Sequence, residues 1–472
     1  MKKFFYITTT APYVNADPHI GFALEIVQAD TIARFKRLTG YDVAFGFGTD
    51  EHGLKIYRKA LEEKKDPQAY CDHYAKKFQE LKSALNLSTT HFIRTTHTSH
   101  IKAAQEFWRR CLKNGDIYKK NYRVKYCVGC ELEKTDSELV NNRCPLHPHL
   151  KIEIYEEENY FFRFSKYQDK LLKFYEKNPN FILPQERFNE IKAFVKKGLR
   201  DFSISRLKEK MPWGIEVPED PKHVMYVWFD ALVFYISTLG WPNNKEEFKK
   251  WWPAVQVAGK DNLRQQTAIW QAMLMSAGLP NSKQIIIHGF ISVDGQKMSK
   301  SLGNVVEPFK LVKKYGTDPL RYYLLREIPP FEDGDYSQRR MKEIYQSELA
   351  NELGNLVSRL TKLGEEDNLS INDQVTEHWD TEIIEQFNSF KFNLILENIW
   401  KKIKSLNKKI DIFAPWNKKP EERKNFLVES LKQLNSIAFQ LQPFLPETAE
   451  KIIQATSGKI KKIKPLFPRI TC

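Results

Sequence analysis

The chain opens on an apolar run, Phe4-Phe5-Tyr6-Ile7, followed by Thr8-Thr9-Thr10. Aromatic and β-branched residues at this density predict a short strand over 4–10. A Pro/Asn/Asp loop covers Ala11 to Pro18. From about His19 the period changes: Leu24, Val27, Thr31, Phe35 and Leu38 recur at helical spacing, and Gly40 suits the stop. Asp42 to Gly48 reads as strand again. Strand, loop, helix, strand is the opening of a parallel α/β sheet. Residues 55–115 are largely helical in pattern. Over about 116–155 the character turns to Tyr, Cys, Asn and charge, which predicts an inserted module, and 156–224 continue as mixed α/β. The α/β pattern resumes at Val224-Met225-Tyr226-Val227-Trp228, inside an apolar stretch, Met225 to Ile236, that Asp230 interrupts. Ala254–Gly259 and Gln284–Ile291 read as short apolar strands. Beyond about 340 no strand signal remains, and long amphipathic helices fill the rest.

This pattern predicts a doubly wound parallel sheet split by an insertion and followed by an all-α helix bundle. The segments are 1–115, 116–224, 225–340 and 341–472. A length of 472 residues agrees, being too long for one core and suited to about two to four domains. Hydrophobic residues make up 42%, enough for a sizeable core, so disorder is not indicated. No apolar run reaches the roughly 18 residues of a membrane span, and the apolar start is too short for a signal peptide. A cytoplasmic location without membrane association is the expectation.

The net charge of +15 fits a polyanionic partner or a solvated lysine-rich surface. Its distribution favours nucleic acid: residues 401–472 hold sixteen Lys/Arg against six Asp/Glu. Of six cysteines, Cys71, Cys111 and Cys472 stand apart. Cys127-x-x-Cys130 is followed by Cys144-x-x-His147. Two pairs at this spacing predict three thiolates and one imidazole around a structural Zn2+, with His149 close enough to compete for the fourth place.

Two further motifs carry phosphate chemistry. Pro18-His19-Ile20-Gly21 falls where a strand end meets a helix start, an anion site by virtue of free N–H groups and the helix dipole. Gly21 permits close backbone approach and His19 offers a donor. Alone, such a histidine is more often merely a helix-start residue. Lys297-Met298-Ser299-Lys300-Ser301 follows the strand at 284–291. Lys297 and Lys300 there suit the neutralisation of β- and γ-phosphates, or form a solvated loop. No G-x-x-x-x-G-K-S/T loop and no G-x-G-x-x-G fingerprint is present.

The two pieces together, in this order, resemble the HIGH and KMSKS signatures of class I aminoacyl-tRNA synthetases. The rest of the chain resembles the methionyl-tRNA synthetase family along essentially its whole length. The matching segments include Ala11–Asn15, Gly48-Thr49-Asp50-Glu51-His52-Gly53, Asp201–Arg206, Tyr226–Leu232, Gly259-Lys260-Asp261 and Gly303–Val306. The resemblance implies a Rossmann-like catalytic domain in two halves, a zinc knuckle in the insertion and an anticodon-binding helix bundle. The implied reaction joins methionine to ATP as methionyl-adenylate, with Mg2+ accompanying the nucleotide, and then charges tRNA(Met). It implies catalytic roles for His19, Lys297 and Lys300. ATP is implied to lie against Gly21, Gly259, Asp261, His288, Gly289 and Lys300. Methionine is implied to lie against Ala11, Tyr13, Asp50, Trp228, Ala231, Leu232, Tyr235 and Gln266. Asp50 corresponds to the aspartate that holds the methionine ammonium; from the residues alone it equally caps the helix after it. Trp228 and Tyr235, without the resemblance, read as core. Asn351, Asn355 and Arg359, at i, i+4 and i+8, and Trp416 correspond to the readers of the anticodon, where splayed bases stack and hydrogen-bond. By composition alone these four are exposed helix residues and a packing tryptophan. The chain ends where the short form of the family ends, so a monomer is expected.

Four positions depart from the family pattern: Phe22 for the second histidine of the first signature, Gln266 for a histidine beside the methionine side chain, and Asn262 and Ala11 for larger aliphatic residues. Phe22 removes one phosphate donor. Two rival readings remain. Another class I synthetase is disfavoured because only about 110 residues separate the sheet halves, too few for an editing insertion. A tRNA-binding protein without activation chemistry is disfavoured by the presence of His19, Asp50, Asp261, Lys297 and Lys300.

Overall fold

A computed structural model describes residues 2–134, 138–298, 303–372 and 378–469. The chain divides into two compact units, Met1–Pro18 with Tyr41–Glu80 and Thr89–Ile287, and His19–Gly40 with Leu81–Ser88 and His288–Cys472.

The first unit is built on a six-stranded sheet. Its strands are β1 (Lys3–Thr8), β2 (Tyr41–Thr49), β3 (His91–Arg94), β4 (Ile182–Leu183), β5 (Val255–Gly259) and β6 (Gln284–His288), which ends on the first residue of the second unit's last segment. The spatial order is β3-β2-β1-β5-β6-β4. β1 pairs in parallel with β2 on one side and with β5 on the other, Ile7 facing Val255. The winding therefore reverses between β1 and β5, as in a doubly wound sheet, where ligands bind beyond the carboxyl ends of the strands. β5 is buried along its whole length, which explains why its residues are apolar apart from Gln256.

The stretch 55–115 is largely helical, as its pattern predicts, with β3 set between the helices Pro67–Ala84 and Thr98–Lys113. Four residues are too few for a period-2 pattern to register. The run at 224–228 is not a strand of the main sheet. Asp220–Met225 pairs antiparallel with Ser205–Leu207 in a separate three-stranded sheet, and Val227–Leu232 is a helix. A short apolar run does not distinguish a buried strand from a buried helical turn.

The insertion is an antiparallel ribbon. Ile117–Cys127 pairs with Glu153–Phe162 from Ile117↔Phe162 to Tyr126↔Glu153, and carries Cys127 at its far end.

The second unit holds the helix α1 (Ile20–Leu38), a small sheet of Ile291–Val293, Gln296–Lys297 and Gly334–Tyr336, and the long helices Phe392–Phe413 and Pro420–Leu441. A two-residue pairing, Ser370–Ile371 with Gly458–Lys459, lies below what a sequence pattern resolves. Among the described residues no helix is long and apolar enough to cross a membrane.

Arg321 and Asp30 organise this unit. Both side chains are fully buried, with Nη1 2.8 Å from Oδ2. Arg321 also donates to the carbonyls of Phe444, Leu85 and Pro443. Asp30 accepts from Arg34 Nε and from the Ser88 amide and hydroxyl. One ion pair thus ties α1, the 81–88 segment and the C-terminal helices. Removing one partner of a buried pair usually costs about 3–5 kcal/mol, because the other charge stays behind unpaired. Asp30 keeps Arg34 and Ser88, so Arg321→Met is expected at the low end, about 3 kcal/mol, read as an earlier chemical-denaturation midpoint.

Candidate active site and metal centre

β2 delivers Asp50 to the carboxyl edge of the sheet. The loop after β1 closes on it: the Asp50 amide donates to Pro12 O at 2.9 Å and the Val14 amide donates to Asp50 O at 3.1 Å. Tyr13 is bridged to Asp50 in parallel register. Asp50 does not cap the following helix, Leu54–Glu62; Gly53 occupies that position, at φ +112. The Asp50 side chain is buried and its Oδ1 has no hydrogen-bond partner. Burial pushes its pKa well above the ordinary carboxylate value, and the nearby Asp230 carboxylate adds to this. A buried carboxylate oxygen left without a donor is costly unless a cation arrives, which makes Asp50 a cation-accepting position.

Behind Asp50 lies a buried cluster that the sequence reading did not single out. His52 Nδ1 is 3.0 Å from Asp230 Oδ2, His100 Nε2 is 3.8 Å from Asp230 Oδ1, and His100 Nδ1 meets Ser237 Oγ at 2.9 Å. Burial alone would raise the Asp230 pKa, but His52 and His100 outweigh it and hold Asp230 below the usual value. The one available signal was Asp230 itself, a charge inside the apolar run Met225–Ile236.

The aromatic wall divides. Trp228 is half-buried and packs with Tyr13 against Leu54, Tyr126, Met211, Val224 and Tyr226, and its Nε1 is buried without a partner. Ala231, Leu232 and Tyr235 are buried, with Leu232 and Tyr235 in the main core, where the Tyr235 ring lies 4.2 Å from Phe234. Ala11 packs at the edge of the same core. Gln266 is buried in a π-helical turn, Gln265–Ile269, and its Oε1 accepts from Gln256 Nε2 on β5 at 3.2 Å. Such turns interrupt helices mainly at functional sites. β5 runs out at Gly259, and Asp261 is exposed on the single 3₁₀ turn that follows.

The phosphate pieces meet within the second unit. His19 is the N-cap of α1, and its Nδ1 accepts from the Gly21 amide at 3.1 Å. That bond places any single ring proton on Nε2, which is left as a donor. Desolvation lowers the His19 pKa, against an upward pull from Glu25, and so favours the neutral ring. A Cβ at Gly21 would sit 2.9 Å from His19 Cε1 and displace the ring. Phe22 is buried and offers no polar group. The Ile20 amide donates to Val306 O, and Met298 Cε comes to 3.8 Å of the space beside Gly21. Lys297 is exposed at the end of Gln296–Lys297, and its carbonyl accepts from Asn304 Nδ2. Lys300 lies outside the described residues. Both ring nitrogens of His288 are engaged, Nε2 with Glu25 Oε2 at 3.0 Å and Nδ1 with Gly289 O at 2.7 Å. Gly289 lies against the backbone of Glu332, where a Cβ would be 2.1 Å from the carbonyl oxygen.

The insertion brings Cys127, Cys130, Cys144 and His147 together, with all ligand atoms within 4.8 Å. Cys130 Sγ is 3.4 Å from Cys144 Sγ and 3.2 Å from His147 Nδ1, and Cys127 Sγ is 3.8 Å from His147 Nδ1. A tetrahedral ion about 2.3 Å from sulfur sets ligand separations of roughly 3.5–3.8 Å; those here run from 3.2 Å to at most 4.8 Å and bracket that range, and the three thiols and one imidazole are a donor set that can hold a metal ion. Gly129 is needed for this, since a Cβ there would lie 2.5 Å from the His147 ring. His149 stands outside the cluster, its ring 6.3 Å from that of His147.

On the helical elements, Asn351 and Asn355 are exposed, the first within a π-helical stretch, Tyr345–Gly354. Arg359 is partly buried. It donates to Asp411 Oδ1 at 2.7 Å and to Asn407 Oδ1 on the helix Phe392–Phe413. Trp416 is 49% exposed on the turn Pro415–Asn417, launched by Ala414 at φ +49.

The family model described as tRNA synthetases class I (M) matches residues 5–151 and 133–361, which sets the class as a class I aminoacyl-tRNA synthetase. The methionine–tRNA ligase of Thermotoga maritima is 41% identical over 98% of this chain and 76% of its own length. That of Rickettsia felis is 42% identical over 100% of this chain and 95% of its own. The Mycobacterium tuberculosis methionyl-tRNA synthetase in complex with methionyl-adenylate superposes with a TM-score of 0.91 at 36% identity, covering 99% of this chain and 100% of that one. The chain belongs to the methionine–tRNA ligase family.

The donor geometry predicts that the purified chain carries one tightly held divalent metal. Cys144→Ser should reduce the metal-to-protein ratio several-fold, read by elemental analysis after dialysis; an unchanged ratio would place the metal elsewhere.

Proposed function

We propose that this chain activates methionine with ATP and transfers the methionyl group to the 3′ end of tRNA(Met). The buried carboxyl of Asp50, whose Oδ1 has no hydrogen-bond partner, carries this reading, since an α-ammonium supplies the charge and donor that oxygen lacks. In the first step a methionine carboxylate oxygen attacks the α-phosphorus, the bond to the bridging oxygen of the β-phosphate breaks, and pyrophosphate leaves. No nucleophilic side chain is required. The protein positions the reactants and stabilises developing charge. His19 Nε2–H and Lys297, with Lys300, are assigned to the phosphates, and Asp261 to the ribose hydroxyls. The Phe22 side chain contributes no phosphate donor, so His19, the lysines and the amides at the start of α1 take that work. Mg2+ bound to ATP would supply further charge neutralisation. In the second step the adenylate carbonyl passes to a terminal ribose hydroxyl of the tRNA and AMP leaves.

Trp228 with Tyr13 forms the aromatic side of the methionine pocket, which suits a polarizable thioether. Gln266, held by Gln256, presents an amide there in place of the family's histidine. The insertion metal is assigned as Zn2+ in a structural role, because four protein ligands leave no open coordination position. Residues 1–115 and 225–340 are assigned to the catalytic domain, 116–224 to the insertion and 341–472 to anticodon binding. Exposed Trp416 is assigned to base stacking, with Asn351, Asn355 and Arg359 reading base edges. We further assign a cytoplasmic monomer.

Amino-acid-dependent ATP–pyrophosphate exchange tests the activity. Exchange with methionine is expected. Exchange with a different amino acid would overturn the specificity, and none with any would favour a binding-only protein.

A pH dependence follows from Asp50. Its raised pKa keeps the empty site partly protonated, and ammonium binding favours the ionised form. Binding therefore releases a proton, and methionine affinity should rise with pH through the range where the empty site titrates. Calorimetry in buffers of different ionisation enthalpy measures that release. Asp50→Asn should abolish it and weaken binding at least ten-fold.

A further inference from the structure

Glu131 directly follows the metal ligand Cys130, yet its side chain points away from the knuckle into buried surroundings, 5% exposed. It holds a left-handed backbone conformation, φ +49, which a non-glycine residue adopts only when its surroundings enforce it. Three donors converge on its carboxyl group. The Lys55 amide donates to Oε1 at 2.6 Å, the Tyr13 hydroxyl donates to Oε1 at 3.2 Å, and the Tyr126 hydroxyl donates to Oε2. These donors come from different places. Tyr126 stands beside Cys127, on the strand that enters the knuckle. Lys55 opens the helix Leu54–Glu62, just past Asp50–Gly53. Tyr13 lies on the loop that is bridged to Asp50.

Two neighbouring features serve the same arrangement. A Cβ at Gly53 would sit 2.6 Å from the Tyr13 hydroxyl, so glycine there leaves room for the Tyr13–Glu131 bond. Lys55 Nζ donates to the Gly129 carbonyl, inside the knuckle, at 3.3 Å, and lies 5.9 Å from the centre of the Tyr13 ring. The Tyr13 ring is therefore fixed at its hydroxyl end by a residue of the metal-binding loop and at its backbone by Asp50.

We propose that Glu131 is a positioning residue for the methionine site, holding Tyr13 in register with Asp50 and tying that register to the metal knuckle. The mechanism is preorganisation. A tyrosine free to swing must be ordered when the amino acid binds, and that ordering opposes binding. The inference rests on the assignment of Tyr13 and Asp50 to methionine made above. Wild-type exchange with methionine is therefore the control: its absence would defeat that assignment, whereas its presence with unaffected Glu131 variants would defeat this inference alone.

The experiment compares Glu131→Leu, Glu131→Gln, Tyr13→Phe and the double variant Tyr13→Phe/Glu131→Leu, each checked for one metal per chain and a wild-type circular dichroism spectrum. Both methionine KM in the exchange reaction and methionine affinity by calorimetry without ATP are read. Glu131→Leu should raise methionine KM and Kd about ten-fold, with ATP KM and kcat within two-fold. Glu131→Gln keeps an acceptor for Tyr13 and should restore most of the affinity. Tyr13→Phe should reproduce the weakening, and the double variant should be no weaker than Glu131→Leu alone. Unchanged methionine affinity in Glu131→Leu would overturn the proposal, as would a loss confined to kcat or a double variant whose defects multiply. If Glu131→Leu does not fold, Tyr13→Phe decides: weaker methionine binding at full metal content supports the proposal, and wild-type binding overturns it.

Discussion

A buried carboxyl group with one oxygen left unpaired is an unstable arrangement, and the first unit is organised to maintain one. Asp50 is fixed through its backbone by Pro12 and Val14 and has no side-chain partner at Oδ1. An unpaired buried polar group costs on the order of 1–3 kcal/mol, and a charged one more. A hydrogen bond from the His52 amide to the carboxyl group relieves only part of that cost. Asp230, which would have repelled a charged Asp50 least if neutral, is instead kept ionised by His52 and His100. The site is therefore poised for an incoming cation. Strain of this kind persists where the rest of the structure over-determines it, here through the β2 strand end, the loop after β1 and the knuckle-derived Glu131.

In the second unit the main device is geometric. His19 caps α1 with Nδ1, which directs its other nitrogen outward as a donor, and Gly21 exists in the space the ring requires. The Lys297–Met298 strand end is carried to the same helix start by a small sheet and by the Ile20–Val306 bond. Arg321 and Asp30 fix α1 from within the same unit, so the orientation of the helix start depends on a buried ion pair between Asp30, further along α1, and Arg321.

The order of elements was legible because β1, β5 and β6 are short, mainly apolar runs bounded by loops, and because α1 keeps its period over five turns. β3 was not legible, being four residues between helices. Nor was the helix at Val227–Leu232, because buried helical turns and buried strands share a composition. Among site residues, those defined by local motif were readable: the Cys/His pairs do converge. Roles that depend on distant partners were not. Glu131, His52 and His100 are ordinary polar residues in sequence, and only tertiary contacts set them around Asp50 and Tyr13. His288 has both ring nitrogens taken by Glu25 and Gly289, a commitment no spacing rule could reveal.

Asp50 is placed to receive the positive charge of an amino acid. A crystal structure of the protein with methionine alone would show whether it does. The α-ammonium is expected about 3 Å from Asp50 Oδ1, with the thioether turned toward Trp228. An ammonium bound away from Asp50, with Oδ1 still unpaired, would contradict it.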